Sequence, residues 1–452
     1  MIQTGLIPNA HSDLVTDASY DFYGLRLATC SLDQRIKLWQ LDETNGSWIP
    51  EDDWKAHDAA VSKISWAHPE FGTIIASASF DRTVKVWEQT SGVGQLPDSQ
   101  QQQVAVNGNG NGGHASQSQT PGPSTSRWIE RAVLPEARGT VRAVEFAPHH
   151  FGLKLASISS DNHLRIYECL EQPSLTTWQL SEEADVQALP LSPSVSPFTR
   201  AQQTNALATP TQTSSSLDGA SAPLIAQALQ QGLQQSTSAQ PRPGLGNREA
   251  DGGWCISWCK DRYWGELIAA GAGTSGVIKI IQLLPSNRPT TILTLDPSPA
   301  AEAAGVAPMD PDAGGPSSSA ITSVSWAPSC GRSYHLIATG GRDGHVRIWR
   351  VKPGEDADAV DDQDMAADGE DGRWTASIVA DFEQHKSAVG RVEWNITGTV
   401  LSSAGNDGRV RLWKATSGNV WRPAGSIGVE QSEAEGDQHE NERRADRDVD
   451  ME

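Results

Sequence analysis

Residues 61–87 read VSKISWAHPEFGTIIASASFDRTVKVW, and their pattern decides the fold. Three short stretches of period-two alternation are separated by turn residues, the pattern of half-buried antiparallel strands. The unit returns five more times. VTDASYDFYGLRLATCSLDQRIKLW ends at Trp39, VRAVEFAPHHFGLKLASISSDNHLRIY at Tyr167 and WCISWCKDRYWGELIAAGAGTSGVIKII at Ile281. ITSVSWAPSCGRSYHLIATGGRDGHVRIW ends at Trp349 and VGRVEWNITGTVLSSAGNDGRVRLW at Trp413. Self-similarity at one period marks a repeat architecture.

Between the units the composition changes. Residues 89–127 are rich in Gln, Asn, Gly and Ser, 181–251 in Gln, Ser, Thr, Ala and Pro, and 296–319 in Pro, Ala, Gly and Ser. The loop 351–372 carries nine acidic residues between Glu355 and Asp371, and the tail 429–452 carries ten against three arginines. None of these tracts has the apolar content to offset the entropy of ordering, so all five read as disordered. Without them the chain holds roughly 45 residues per unit, as in a WD-type propeller blade. A fourth, outer strand is expected after each unit, at 48–54, 128–134, 175–180, 290–295, 374–382 and 420–427. The expected fold is all-β, a six-bladed propeller over residues 11–427. Blade six carries its own outer strand, so Met1 to Ala10 is not needed as a clasp, and the ring is expected to open between blades one and six.

The 452 residues include 56 acidic and 35 basic side chains, a formal net charge of −21. Such a surface repels phosphate and argues against direct nucleic-acid binding. No apolar run approaches the ~18 residues of a membrane span. Five cysteines, an odd number, fit a reducing intracellular compartment better than a disulfide framework.

Spacing within the units is regular. An Asp stands six residues before the terminal aromatic in five units, at Asp33, Asp81, Asp161, Asp343 and Asp407, with a hydroxyl four residues earlier at Thr29, Ser77, Ser157, Thr339 and Ser403. Three units add a histidine, His11, His57 and His385. The units resemble WD repeats, and that resemblance implies a buried chain from Asp through His and hydroxyl to the Trp indole. Three sets are complete: His11, Thr29, Asp33 and Trp39; His57, Ser77, Asp81 and Trp87; His385, Ser403, Asp407 and Trp413. Unit four has Ser275 in the Asp position and is the most degenerate.

SWAHPEFGTIIASASFDRTVKVWE, FAPHHFGLKLASISSDNHLRIYE and WNITGTVLSSAGNDGRVRLWKA resemble the WD-repeat nucleoporins homologous to the Sec-thirteen coat protein. The resemblance spans all six units and implies a scaffold subunit of the nuclear pore at the nuclear envelope, with no catalytic residue, cofactor or metal. It implies an open propeller that accepts a blade from a helical-solenoid nucleoporin within the Y-shaped complex. It also implies a place in the SEA/GATOR complex of nutrient signalling at the vacuolar or lysosomal surface. The partner-blade groove is expected along Val15, Ala18 and Tyr20 of blade one and Val392, Trp394 and Ile396 of blade six. Backbone pairing at exposed strand edges is expected to hold the partner there. A vesicle-coat propeller would share this architecture. A ubiquitin-ligase adaptor would show a Trp-Asp-x-Arg ending, whereas these blades end Trp39-Gln40, Trp87-Glu88, Trp349-Arg350 and Trp413-Lys414.

Other motifs have plainer readings. Gly271-Ala272-Gly273-Thr274-Ser275-Gly276 matches a dinucleotide-binding pattern, but a strand and not a helix follows it, so it reads as a hairpin turn. Cys255 and Cys259 share a strand face and lack a second Cys pair, so they read as blade-four core and not as a zinc site. Asn395-Ile396-Thr397 is a sequon on what reads as an intracellular strand. Thr120-Pro121, Ser192-Pro193, Ser196-Pro197, Thr209-Pro210 and Ser298-Pro299 are as well explained by composition as by phosphorylation. Leu224, Ile225, Leu229 and Leu233 could line a docking helix, although Gly232 and the polar surroundings favour disorder.

Overall fold

The computed structural model describes residues 7–90, 127–190, 251–284, 287–297, 319–353 and 374–428. Period-two alternation places one apolar set of each strand on each sheet face, and six four-stranded antiparallel sheets result. Blade one is β1 (Val15–Tyr20), β2 (Arg26–Ser31), β3 (Arg35–Asp42) and β4 (Ser47–Lys55). Blade two is β5 (Val61–Trp66), β6 (Ile74–Ser79), β7 (Val84–Thr90) and β8 (Arg127–Leu134). Blade three follows with β9 (Val141–Phe146), β10 (Lys154–Ser159), β11 (His163–Cys169) and β12 (Trp178–Asp185). Blade four holds β13 (Cys255–Trp258), β14 (Leu267–Gly271), β15 (Ile278–Leu284) and β16 (Asn287–Leu295). In blade five the strands are β17 (Ile321–Trp326), β18 (His335–Gly341), β19 (Val346–Lys352) and β20 (Thr375–Phe382). Blade six is β21 (Val389–Trp394), β22 (Val400–Gly405), β23 (Arg409–Ala415) and β24 (Trp421–Gly428). Strand order within every sheet follows the sequence, so each blade is a plain meander.

Several boundaries differ from the sequence reading. The outer strand of blade three is not 175–180 but β12, which continues to Asp185 and so enters the 181–251 tract. Leu175 is an apolar plug, 1 % exposed, in a turn that precedes the strand. The polar residues after it are strand because Glu183 lies opposite Arg165 and pairs with it at 2.9 Å. Likewise β7 and β8 reach Thr90 and Arg127, inside the 89–127 tract, and β19 takes in 351 and 352 of the acidic loop. The tail 429–452, the Ser/Thr-Pro pairs and the Leu224–Leu233 segment lie outside the described residues. Gly271–Gly276 is the β14–β15 hairpin turn, with Gly273 and Gly276 at φ +73° and +67°. Cys255 and Cys259 are both buried in the apolar cluster between blades four and five, where burial pushes each thiol up to about 12. Asn395 to Thr399 form a turn and not a strand, with the Asn395 side-chain Oδ1 accepting from the Thr399 and Val400 amides.

Every blade turns from its second to its third strand through a left-handed residue. It follows the Asp in five blades, at Gln34, Arg82, Asn162, Gly344 and Gly408, and Ser275 in blade four, at Gly276. The Asp carboxylate accepts the amide two residues on, as in Arg35 to Asp33 at 3.0 Å and Arg409 to Asp407 at 3.1 Å, which fixes the turn. No atom would lie within 4 Å of a Cβ at Gly408, so substitution there meets only the backbone penalty. Gly408→Ala is expected to cost about 1 kcal/mol, read from the urea midpoint, and Gly408→Asn less. An unchanged midpoint for Gly408→Ala would contradict the left-handed turn.

Candidate partner-docking cleft

Hydrogen-bonded networks lock the blades. In blade two His57 Nδ1 lies 2.8 Å from Asp81, His57 Nε2 lies 2.7 Å from Ser77 Oγ, and the Trp87 indole donates to Ser77 at 2.9 Å. Blade one repeats this with His11 to Asp33 at 3.0 Å, His11 to Thr29 at 2.9 Å and Trp39 to Thr29 at 2.9 Å. Blade six places His385 3.2 Å from Asp407 and 2.8 Å from Ser403, which accepts from Trp413 at 2.9 Å. Here Arg411 also reaches His385 Nδ1 at 2.7 Å. Burial foremost, then the Arg411 charge, holds this imidazole below its ordinary value.

Blades three and five use arginine where a histidine is missing. Arg165, fully buried, reaches Asp161 at 2.8 Å and Ser159 at 2.7 Å, and Arg347 reaches Asp343 at 3.0 Å. The signal for this in the sequence is an Arg four residues after the Asp and two before the aromatic. Blade four has Gly271 and Ile281 at the hydroxyl and aromatic positions and relies on aliphatic packing.

Five buried apolar clusters join blade one to two, two to three, three to four, four to five and five to six. Among the described residues none joins six to one. Val61, Val141, Ile321 and Val389 open the inner strands of blades two, three, five and six and are at most 5 % exposed, while their counterpart Val15 is 50 % exposed. Tyr20, matching Trp66, Phe146, Trp326 and Trp394, is 58 % exposed. The opposite wall is bare as well. Val84 and Val86 of blade two are 1 % and 0 % exposed, but the equivalent Val410 is 37 % exposed and Leu412, Val400, Ser402 and Ala404 are only half-buried.

This geometry corrects half of the expected groove. Val15, Ala18 and Tyr20 lie on the uncovered wall of blade one, but Val392 and Trp394 are buried against blade five. Ile396 is 90 % exposed in the β21–β22 turn, beside Cys330 of blade five. Each inner strand turns its apolar set toward the preceding blade, so the free wall of blade six comes from β22 and β23. The cleft is therefore lined by sheet faces and not by unpaired strand edges.

Among the described residues, blades six and one are bridged only at their inner strands, β21 and β1. At five junctions a side chain of one blade accepts an amide of the next: Asp17 from Ile64 and Ser65 from Phe146 at 3.1 Å, Glu145 from Trp258 at 3.1 Å, and Ser257 and Ser323 from Trp326 and Val392 at 3.0 Å. At the sixth, the Arg391 guanidinium instead pairs with Asp17 and donates to the Ala18 carbonyl at 2.7 Å. No group of His, Cys, Asp or Glu among the described residues is arranged to hold a metal ion, and none of their helices is long and apolar enough to cross a membrane.

A family model for the WD domain, G-beta repeat, matches residues 4–40, 48–88, 314–350 and 376–414. Blades three and four, with Tyr167 and Ile281 in place of Trp, are the two it leaves out. Nucleoporin SEH1 of Saccharomyces cerevisiae is 31 % identical over 94 % of this chain and 99 % of its own length. The chain belongs to the SEH1 nucleoporin family. Nucleoporin SEH1 of Homo sapiens is also 31 % identical, over 92 % of this chain and 86 % of its own. Nucleoporin seh1 of Schizosaccharomyces pombe is 27 % identical over 95 % and 97 %.

The networks carry a pH dependence in this SEH1-family propeller. Burial alone would raise Asp81 and Asp407, but hydrogen bonds from His57 and Thr83, and from His385 and Arg411, outweigh it and hold both well below the usual carboxylate range. A depressed folded value means stability that is present above the unfolded value near 4 and is lost as pH falls through the folded one. Acid unfolding should steepen below about pH 4, and Asp81→Asn should flatten that limb. At neutral pH Asp407→Ala should cost about 2–4 kcal/mol, against less than about 1 kcal/mol for Asp58→Ala in an exposed pair. Equal denaturant midpoints for those two variants would contradict the network's role.

Proposed function

We propose that this chain is a non-enzymatic scaffold subunit of the nuclear pore complex. The observation that carries the reading is the pair of uncovered blade faces between β1 and the β22–β23 wall, in a ring whose other five junctions are packed. Those walls are shaped for a further sheet, and a partner that inserts one becomes part of the propeller. Each large apolar side chain fully covered there contributes roughly 1.5–3 kcal/mol, so a few of them suffice for stable association. Face packing, and not backbone pairing at an edge, then dominates the affinity.

The helical-solenoid nucleoporin of the Y-shaped complex is the proposed donor, with other subunits of that complex around it. Roles in pore assembly and in mRNA and protein transport at the nuclear envelope follow from that placement. A second assembly, the SEA/GATOR complex at the vacuolar or lysosomal surface, with its part in TOR signalling, is proposed on the family resemblance. The relatives' names favour a nucleoporin over a vesicle-coat propeller or a ubiquitin-ligase adaptor.

Affinity purification of the tagged chain from its native cell, with partners identified by mass spectrometry, tests the assembly. Tyr20→Glu and Val410→Glu place charges on exposed positions and should leave the fold intact. Both should abolish partner recovery at about 0.5 M salt, where screened surface contacts fail but apolar packing holds. Deletion of 429–452 should not. Recovery unchanged by both glutamates, with loss on tail deletion, would overturn the cleft as the docking site.

A further inference from the structure

A second cleft, of 330 Å³, lies between blades five and six, away from the uncovered walls. Arg332 and Tyr334 reach it from the β17–β18 loop, Arg350 from β19, Lys414 from the end of β23 and Trp421 from β24. Among the described residues no carboxylate lines it, although acidic residues outnumber basic ones 56 to 35 in the chain.

Its cations are held but not neutralised. Arg332 is anchored by the carbonyls of Gly398, at 3.2 Å, and Pro328. Arg350 lies over the Tyr334 ring at 5.0 Å. The Nε–H groups of both guanidiniums are buried and unpartnered among the described residues. Buried donors without acceptors are costly, and two of them in one cleft are an unfilled demand for anionic oxygen. Carbonyl anchoring and ring stacking fix the guanidiniums before any ligand arrives, which lowers the ordering cost of binding.

We propose that this cleft binds a carboxylate-rich peptide segment of a partner protein. Arg332 and Arg350 would receive side-chain carboxylates by charge-assisted hydrogen bonds. Tyr334 and Trp421 give the peptide backbone an apolar and aromatic wall. Two acidic side chains on one extended segment match the two guanidiniums. The site is independent of the opening between blades one and six and would add a second contact to any assembly.

The probe is a fluorescein-labelled peptide of alternating Glu and Ala, titrated by anisotropy against the full chain at low and high salt. Binding should weaken with salt, and a peptide with Gln for Glu should not bind. Arg350→Glu and Arg332→Glu should each weaken binding about tenfold or more, the loss of a charged hydrogen bond. Arg332→Gln and Arg350→Gln keep the side-chain stems and test the site even if the glutamate variants misfold, which circular dichroism would show. Arg35→Glu, an exposed cation on blade one, should bind like the native chain. Binding that both cleft variants leave unchanged would overturn the proposal. So would stronger competition by inorganic phosphate than by the peptide. The chain's own acids from Glu355 to Asp371 lie between β19 and β20 in sequence. If the peptide binds only after those acids are changed to Asn and Gln, the occupant is this chain's own segment, and the partner reading falls.

Discussion

A four-stranded blade has two apolar faces and can cover neither by itself. Everything else in this molecule follows from how those faces are paired. Among the described residues, six blades in series make five face-to-face junctions, each with its own buried cluster, and leave the first face of blade one and the last face of blade six without one. Val15 and Tyr20 on one side and Val410 on the other occupy positions that are sealed elsewhere in the ring. Their exposure is a property of where they stand in the series and not of their chemistry, since valine fills the equivalent sealed sites in blades two, three and six.

The networks address a different problem, the fixing of each strand-to-strand turn. A carboxylate takes hold of the left-handed turn by its amides, and a buried donor ties that carboxylate to the strands. The donor is interchangeable. Histidine serves in blades one and two, Arg165 and Arg347 serve in blades three and five, and blade six carries both His385 and Arg411. Blade four dispenses with the arrangement. Its Gly271 would bring a Cβ within 2.6 Å of Ile278, so the space that a hydroxyl would need is already filled by aliphatic packing.

How far the sequence could be read depended on whether the feature was local. The six repeats, the Asp and hydroxyl spacings and the complete His sets are fixed by distances within one unit, and all are legible in the chain. The outer strand of blade three was misplaced because Leu175 mimics a strand residue while Glu182 and Glu183 mimic linker composition. Period two shows that Val392 and Trp394 share a face, but it cannot say which neighbour that face meets. That depends on the direction in which blades succeed one another, a property of the ring. The uncovered wall of blade six was missed for the same reason: Val400, Ser402 and Ala404 look no different from the sealed Ile74, Ala76 and Ala78.

The sixth junction also differs in the kind of bond that spans it. Elsewhere a side-chain oxygen of one blade accepts a main-chain amide of the next, a contact that needs the two inner strands in close register. Arg391 is long enough to reach Asp17 and the Ala18 carbonyl without that register, and Asp17 at the same time accepts from Ile64 and Lys63 of blade two. A flexible cation tolerates changes in the spacing of its two blades that a short serine or a main-chain amide would not. Polar bridging at the channel and bare apolar faces toward the rim give the junction a tied end and an open end. Both bonds across the junction, to Asp17 and to the Ala18 carbonyl, are carried by one long side chain.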